Sequence, residues 1–279
     1  MRMKTIFVLF VSSLLVALQA AAAQQGELPY VPVELLDETV RIQGDSVRVC
    51  VYDDIGTTDF DVAASALVAD ALILGHEIKK ITANFGLFED GDLFYSIYLN
   101  LVNNCDMIAG FSLTDVELPD WLAVTRSYVA APFVLLSAEP ERESLTDIPR
   151  GAAVGTQVGS HADMTLLAYN SNLRPEERWH RFPYGSDELM LERLDDGTIE
   201  AALLWYPNLR QVRSQWQETY RLLSTEPLPE PTAEVGFITF NNQDWLLSQL
   251  DAAIAELLDT GELVTLAQEH GIIPGDDME

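Results

Sequence analysis

Lysine, cysteine and catalytic signatures are what this chain has least of. Its 279 residues carry 16 basic side chains against 44 acidic ones, and only Lys4, Lys79 and Lys80 are lysines. A formal charge of −28 repels phosphate backbones and anionic bilayers, which argues against nucleic acid and membrane surfaces as partners. The acidity has two readings: a solvated surface in a salty habitat, or a field that steers a cationic ligand or partner. No G-x-S-x-G elbow, HExxH pair, phosphate-binding P-loop or G-x-G-x-x-G turn occurs. The four histidines, spread from His76 to His270, lack metal-ligand spacing, and no CxxC is present. Neither a metal, a cofactor nor an enzymatic activity is expected.

Cysteine is limited to Cys50 and Cys105. An even pair in an exported chain reads as a disulfide, with two buried free thiols as the other reading. Long apolar runs are confined to one, Ile6 to Leu18, which is too short for a spanning helix of ~20 residues. Arg2 and Lys4 precede it and Ala20 to Ala23 follow, so residues 1–23 read as a signal peptide cleaved before Gln24. An uncleaved anchor is the alternative. About 255 residues would remain, enough for one large domain or two smaller halves.

What is there is a strand–helix grammar that runs twice. Residues 24–45 form a weakly patterned, extended lead-in. Val47–Tyr52 is a β-branched strand, and Phe60–Leu74 a helix with Val62, Ala66, Ala69 and Ile73 at helical spacing. A strand over Glu77–Phe85, a helix over Leu93–Val102 and a strand over Asp106–Gly110 follow, the order of a parallel sheet covered by helices. Val124–Tyr128 and Phe133–Ser137 read as two short strands around Pro132. Glu139–Glu143 is a charged break and a hinge candidate. The grammar restarts with a strand over Gly151–Gly155, a helix starting near Ser160 and a short strand over Arg181–Tyr184. A helix over Ser186–Asp195 is capped by Ser186 and stopped by Gly197. Glu200–Trp205 is a buried strand. After a proline-rich stretch, a strand over Val235–Phe240 and helices over Leu246–Leu258 and Gly261–His270 return to the first half. The expected division is 46–138 with 233–279 as one lobe and 139–232 as the other.

Several stretches carry a resemblance. Cys105-Asp106-Met107-Ile108-Ala109-Gly110, Thr125-Arg126-Ser127-Tyr128, Val154 to Ser160, Leu194 to Ala201 and Leu250 to Gly271 follow one another in a familiar order. Together they resemble the bacterial extracellular solute-binding proteins of family 3 across nearly all of residues 46–274. That resemblance implies an α/β, periplasmic-binding-protein-like type II fold: two α/β lobes joined by two crossing segments with a central cleft. It further implies a periplasmic monomer that captures a small polar or organic molecule for an ABC-type transporter permease. Val49-Cys50 with Cys105-Asp106, the run Leu122 to Tyr128 and Leu204-Trp205-Tyr206-Pro207 look more narrowly like members associated with PQQ-dependent (quinoprotein) alcohol or methanol dehydrogenases. That likeness implies an accessory or assembly role beside such an enzyme. The amino-acid binders usually carry T-x-E-R after the third strand, whose Arg clamps the ligand carboxylate. Here the stretch reads Thr114-Asp115-Val116-Glu117-Leu118, without Arg, and Arg126 is the nearest one in sequence.

Ligands of open α/β sheets sit outside the carboxyl ends of the strands. That rule selects Tyr52, Asp53 and Asp54 after the first strand, Phe111 and Ser112 after the third, and Arg126 beyond them. In the second half it selects Thr156, Gln157, Ser160 and His161 at a helix start, and Trp205 and Tyr206 after the last parallel strand. Each has a plainer role open to it: turn or cap for Asp53, Asp54, Thr156 and Ser160, core packing for Trp205, an exposed helix start for His161. A few relatives of the fold act as dehydratases. In such a lyase Asp53, Asp54 or His161 would supply acid–base chemistry.

Overall fold

The structure, a computed structural model, describes residues 45–53, 55–82, 90–112 and 118–274. The expected signal peptide, nearly all of the lead-in, Asp54 and Thr114–Glu117 lie outside the described residues. In the first half, strand β1 (Ser46–Asp53) leads through helix α1 (Thr58–Ala71) to β2 (Gly75–Thr82). Helix α2 (Asp90–Asn103) then leads to β3 (Met107–Ser112). The three strands are parallel, in the order β2-β1-β3. Alternation along β1 serves both faces. Val47, Val49 and Val51 enter a core with α1, whereas Cys50 and Tyr52 enter one with Phe94, Ile97 and Leu101 of α2.

The second half repeats the plan. Strand β6 (Ala153–Gln157), helix α3 (His161–Ser171), β7 (His180–Tyr184), helix α4 (Asp187–Asp195) and β8 (Ala201–Trp205) give a parallel set in the order β8-β6-β7. Ser160 and Ser186 cap α3 and α4, accepting from the N–H groups of Asp163 and Leu189. Gly197 takes the left-handed turn after α4, at φ 74°. A seven-residue helix, α5 (Tyr206–Val212), begins directly after β8. It was not anticipated, because seven residues are too few to show a helical period; Pro207 in its first turn is the one local signal.

Two long strands join the halves. β5 (Val129–Ser137) ladders through Val129–Pro132 with β10 (Thr232–Phe240), then through Phe133–Leu136 with β8 and through Leu135–Ser137 with the short β9 (Arg221–Leu223). β10 in turn runs antiparallel to β3 and to β4 (Leu122–Val124). Each half is thus three parallel strands closed by one antiparallel strand that arrives from the crossing. The expectation of two strands, one over Val124–Tyr128 and one starting at Phe133, is corrected here. Thr125–Tyr128 lies between β4 and β5, and β5 passes straight through Pro132. A proline fits because it sits where the strand changes partners and no further ladder bond is needed from its nitrogen. Pro231 accepts from the N–H of Phe133 at 2.8 Å, which continues the crossing. The Glu139–Glu143 segment follows the crossing as a turn rather than forming it.

Helices α6 (Asp244–Asp259) and α7 (Glu262–Glu269) return to the first half, where Leu246, Leu250, Ile254 and Leu263 complete the core around α1. Among the described residues no helix is long and apolar enough to cross a membrane.

Cys50 and Cys105 are bonded, tying β1 to the residues that open β3 across 55 positions of sequence. A loop of that length removes about 4 kcal/mol of chain entropy from the unfolded state. The double variant Cys50→Ala with Cys105→Ala is expected to unfold with a free energy lower by about that amount in a denaturant titration. Equal stability would contradict the cross-link.

Candidate functional site

The loop after β1 folds back tightly because Thr58 serves two strands of backbone at once. Its hydroxyl donates to the carbonyl of Tyr52 at 2.8 Å and accepts from the N–H of Ile55 at 3.1 Å. This presents Ile55, Gly56, Asp59 and Phe60 to one wall of a pocket of about 370 Å³. Asp53 and Lys80 at the ends of β1 and β2, and His270 to Ile272 after α7, extend the same wall. The opposite wall comes from the second half: Pro207, Arg210, Gln211 and Ser214 on and after α5. The volume lies in the range of small-molecule sites, roughly 300–1,000 Å³.

Charge on the walls is partly resolved by pairing. Lys80 Nζ donates to Asp53 Oδ1 at 2.9 Å, so those two balance one another. Asp59 and Arg210 are different: among the described residues neither has an ion-pair partner within 4.0 Å. One carboxylate therefore faces the pocket from the first half and one guanidinium from the second. Among the described residues, no cluster of three His, Cys, Asp or Glu side chains is placed to hold a metal ion.

Behind the pocket wall lies a buried polar knot. Asp61, fully buried in the first turn of α1, accepts from Tyr128 Oη at 2.6 Å and from Thr57 Oγ1 at 2.7 Å. The N–H of Gly110 donates to Tyr128 Oη at 2.8 Å. Burial raises the Asp61 carboxyl to about 7, against the lowering effect of the Tyr128 and Thr57 hydrogen bonds. Tyr128 immediately precedes the crossing strand β5, so the knot ties α1, β3 and the entry to the crossing together.

The residues selected from sequence fall into three groups. Asp53 lines the pocket. Tyr52, Thr156, Trp205 and Tyr206 are committed to the interior. Tyr52 packs among Phe94, Ile97 and Trp121, and burial raises its hydroxyl above the usual range. Trp205 donates to the carbonyl of Ala131 at 3.2 Å and packs against the cores of both halves. Tyr206 sits edge-on to Trp216. Thr156 donates to Asp163 Oδ1 at 2.5 Å, the N–H of Gly159 to Oδ2 at 3.0 Å, and Arg181 grips both oxygens at 2.5 and 2.6 Å. Burial opposes ionisation of Asp163, but Arg181, Thr156 and Gly159 outweigh it and hold the carboxyl below its ordinary value. Ser160 is spent on its cap. The third group is outside the pocket: Phe111 and Gln157 half-buried, Ser112, His161 and Arg126 exposed. Arg126 donates its backbone N–H to Asp251 at 2.7 Å. Asp54 lies outside the described residues.

Sequence reasoning missed Asp59, Lys80, Arg210, Gln211, Ser214 and His270. The strand-end rule points to the neighbourhood of the first five. The selection stopped within two residues of the strand after β1 and after β8, which left Asp59 and Arg210 on the following helices out; the helix start it did reach, Ser160 and His161, lies outside the pocket. Nothing local marks His270, which reaches the wall only because α7 packs beside α1; its ring stands 6.1 Å from that of Phe60.

Raising an acid's ionisation range by folding means that the folded state binds more protons. Stability from Asp61 is full below its ordinary 3.8 and is lost as pH rises through about 7. Urea titrations at pH 5 and pH 8 are expected to show the parent losing more stability over that interval than Asp61→Asn. Equal losses would remove Asp61 as the source.

No protein-family profile matches the sequence, and a search of curated proteins finds no match. Solved structures do match in shape. The second substrate-binding domain of GlnP from Lactococcus lactis, in its open conformation, superposes with a TM-score of 0.63 at 15% identity, over 85% of this chain and 100% of that one. The probable amino-acid ABC transporter extracellular-binding protein ytmK of Bacillus subtilis gives 0.63 at 17% identity, over 85% and 100%. An arginine transport system periplasmic binding protein from Legionella pneumophila gives 0.57 at 14%, over 81% and 100%. The fold is therefore that of the type II periplasmic binding proteins, as the order of motifs implied. These neighbours lend no support to the narrower likeness to quinoprotein-associated members.

Proposed function

We propose that this chain is an exported, periplasmic solute-binding protein, which holds a small polar molecule between two closing halves and delivers it to an ABC-type transporter. In this reading residues 46–138 and 233–279 form one lobe and 139–232 the other. The observation that carries it is the pocket walled from both sides, with Asp59 on one wall and Arg210 on the other, neither with an ion-pair partner among the described residues. An occupant that satisfies both groups contacts both halves at once, and it is through such contacts that a ligand favours the closed arrangement over the open one. No covalent step is required, and the paired state of Asp53 with Lys80 leaves that wall balanced before ligand arrives. The fold neighbours named for amino-acid transport make this class of role the natural one to test. The ligand needs hydrogen-bond acceptors for Arg210 and donors for Asp59. Ser112, Phe111, Gln157 and His161 are retained as contacts for the part of a ligand that extends beyond the pocket.

Native mass spectrometry of the purified protein, followed by thermal-shift titration with the molecule found and with organic acids, amines and amino acids, tests this. A saturable rise in melting temperature is expected from at least one compound. Arg210→Gln should weaken that compound by roughly 10- to 100-fold, the worth of a charge-assisted hydrogen bond. A chain stabilised by none of them is not a solute carrier.

A further inference from the structure

Helix α5 is anchored firmly in the second half. Tyr206 and Leu209 are buried beside Leu204 and Trp216, and Asn208 Nδ2 donates to Asp187 Oδ2 at 2.8 Å. Its outer side meets two glycines of the first half. A methyl group on Gly56 would stand 2.6 Å from the carbonyl carbon of Pro207 and 2.7 Å from both the backbone nitrogen and Oδ1 of Asn208. A methyl group on Gly271 would overlap the guanidinium of Arg210. Gly271 has φ 64°, so its backbone already favours glycine, but Gly56 has no positive φ. At Gly56 the absence of a side chain is therefore explained by the close approach of α5 alone.

We propose that α5 is the closing latch of the molecule, seated on Gly56 with Arg210 laid over Gly271, so that closure depends on the absence of a side chain at Gly56. The two points bracket the pocket, since Gly56, Pro207, Arg210 and Gly271 all line it. Backbone meets backbone at one end, and a flexible side chain covers a glycine at the other. A closed arrangement held this way is available before any ligand enters. Ligand then adds to an existing preference instead of creating one, and apparent affinity scales with the fraction of molecules already latched.

The latch rests on the reading of two halves that close, but its experiment needs no ligand. Spin labels at the exposed positions of Asp70→Cys and Glu192→Cys report the separation of the halves by pulsed electron resonance. The parent is expected to show a short-distance population without ligand. Gly56→Ala should lower that population about tenfold or more, because the added carbon meets backbone that cannot move aside cheaply. Gly185→Ala, where nothing lies within 4 Å, should leave it unchanged. Arg210→Ala, which removes the side chain that α5 lays over Gly271, should also lower it. That variant keeps the test alive if Gly56→Ala fails to fold. An unchanged distance distribution in Gly56→Ala, or in Arg210→Ala should Gly56→Ala fail to fold, overturns the latch. Absence of any binding solute would overturn the solute-carrier reading without altering these distances.

Discussion

The change of partner along β5 is the constraint on which the rest of the structure depends. Four residues, Val129–Pro132, belong to the ladder with β10, and the next four, Phe133–Leu136, to the ladder with β8. A single extended segment thus ends one sheet and begins another. Because β10 makes the complementary passage back, the halves are held by two strands and by little else along the sheet. Trp205, which donates to Ala131 and touches both cores, packs over that passage. The arrangement leaves the loops after β1 and β8 facing one another, which is why a pocket forms between them.

Polar groups divide into those that fix the scaffold and those left for other use. Asp61 and Asp163 are both buried at helix starts, and both are fully occupied: one by Tyr128 and Thr57, the other by Arg181, Thr156 and Gly159. The difference in their ionisation follows from the partners. Hydroxyl donors do not offset burial at Asp61, whereas the Arg181 guanidinium with two further donors does so at Asp163. Against a chain with 44 acidic and 16 basic residues, an arginine on a pocket wall without an ion-pair partner among the described residues is a scarce resource. That scarcity gives Arg210 its weight.

Much of the fold was legible because parallel strands buried on both faces leave continuous apolar runs, and the helices between them carry caps and stops. Ser160, Ser186 and Gly197 acted as their types suggest. Legibility was lost at the crossing, where proline was read as a break, and at α5, which is too short for periodicity. The site was less legible than the fold. Tyr52, Thr156 and Trp205 are at strand ends, but whether a strand-end side chain turns inward or outward depends on neighbours that sequence order does not reveal. Thr156 turned toward Asp163, and Trp205 toward the crossing strand.

The sequence alone determined the alternation of strands and helices, the repetition of that pattern and the pairing of Cys50 with Cys105 as a leading reading. Each follows from local burial pattern or from a count of two. Only the tertiary structure decided that Arg210, Asp59 and His270 share a pocket, and that Gly56 and Gly271 receive one helix. Those residues are separated by up to 215 positions, between Gly56 and Gly271. Their meeting is set by the angle between the two halves at β5 and β10, a quantity that no local pattern encodes.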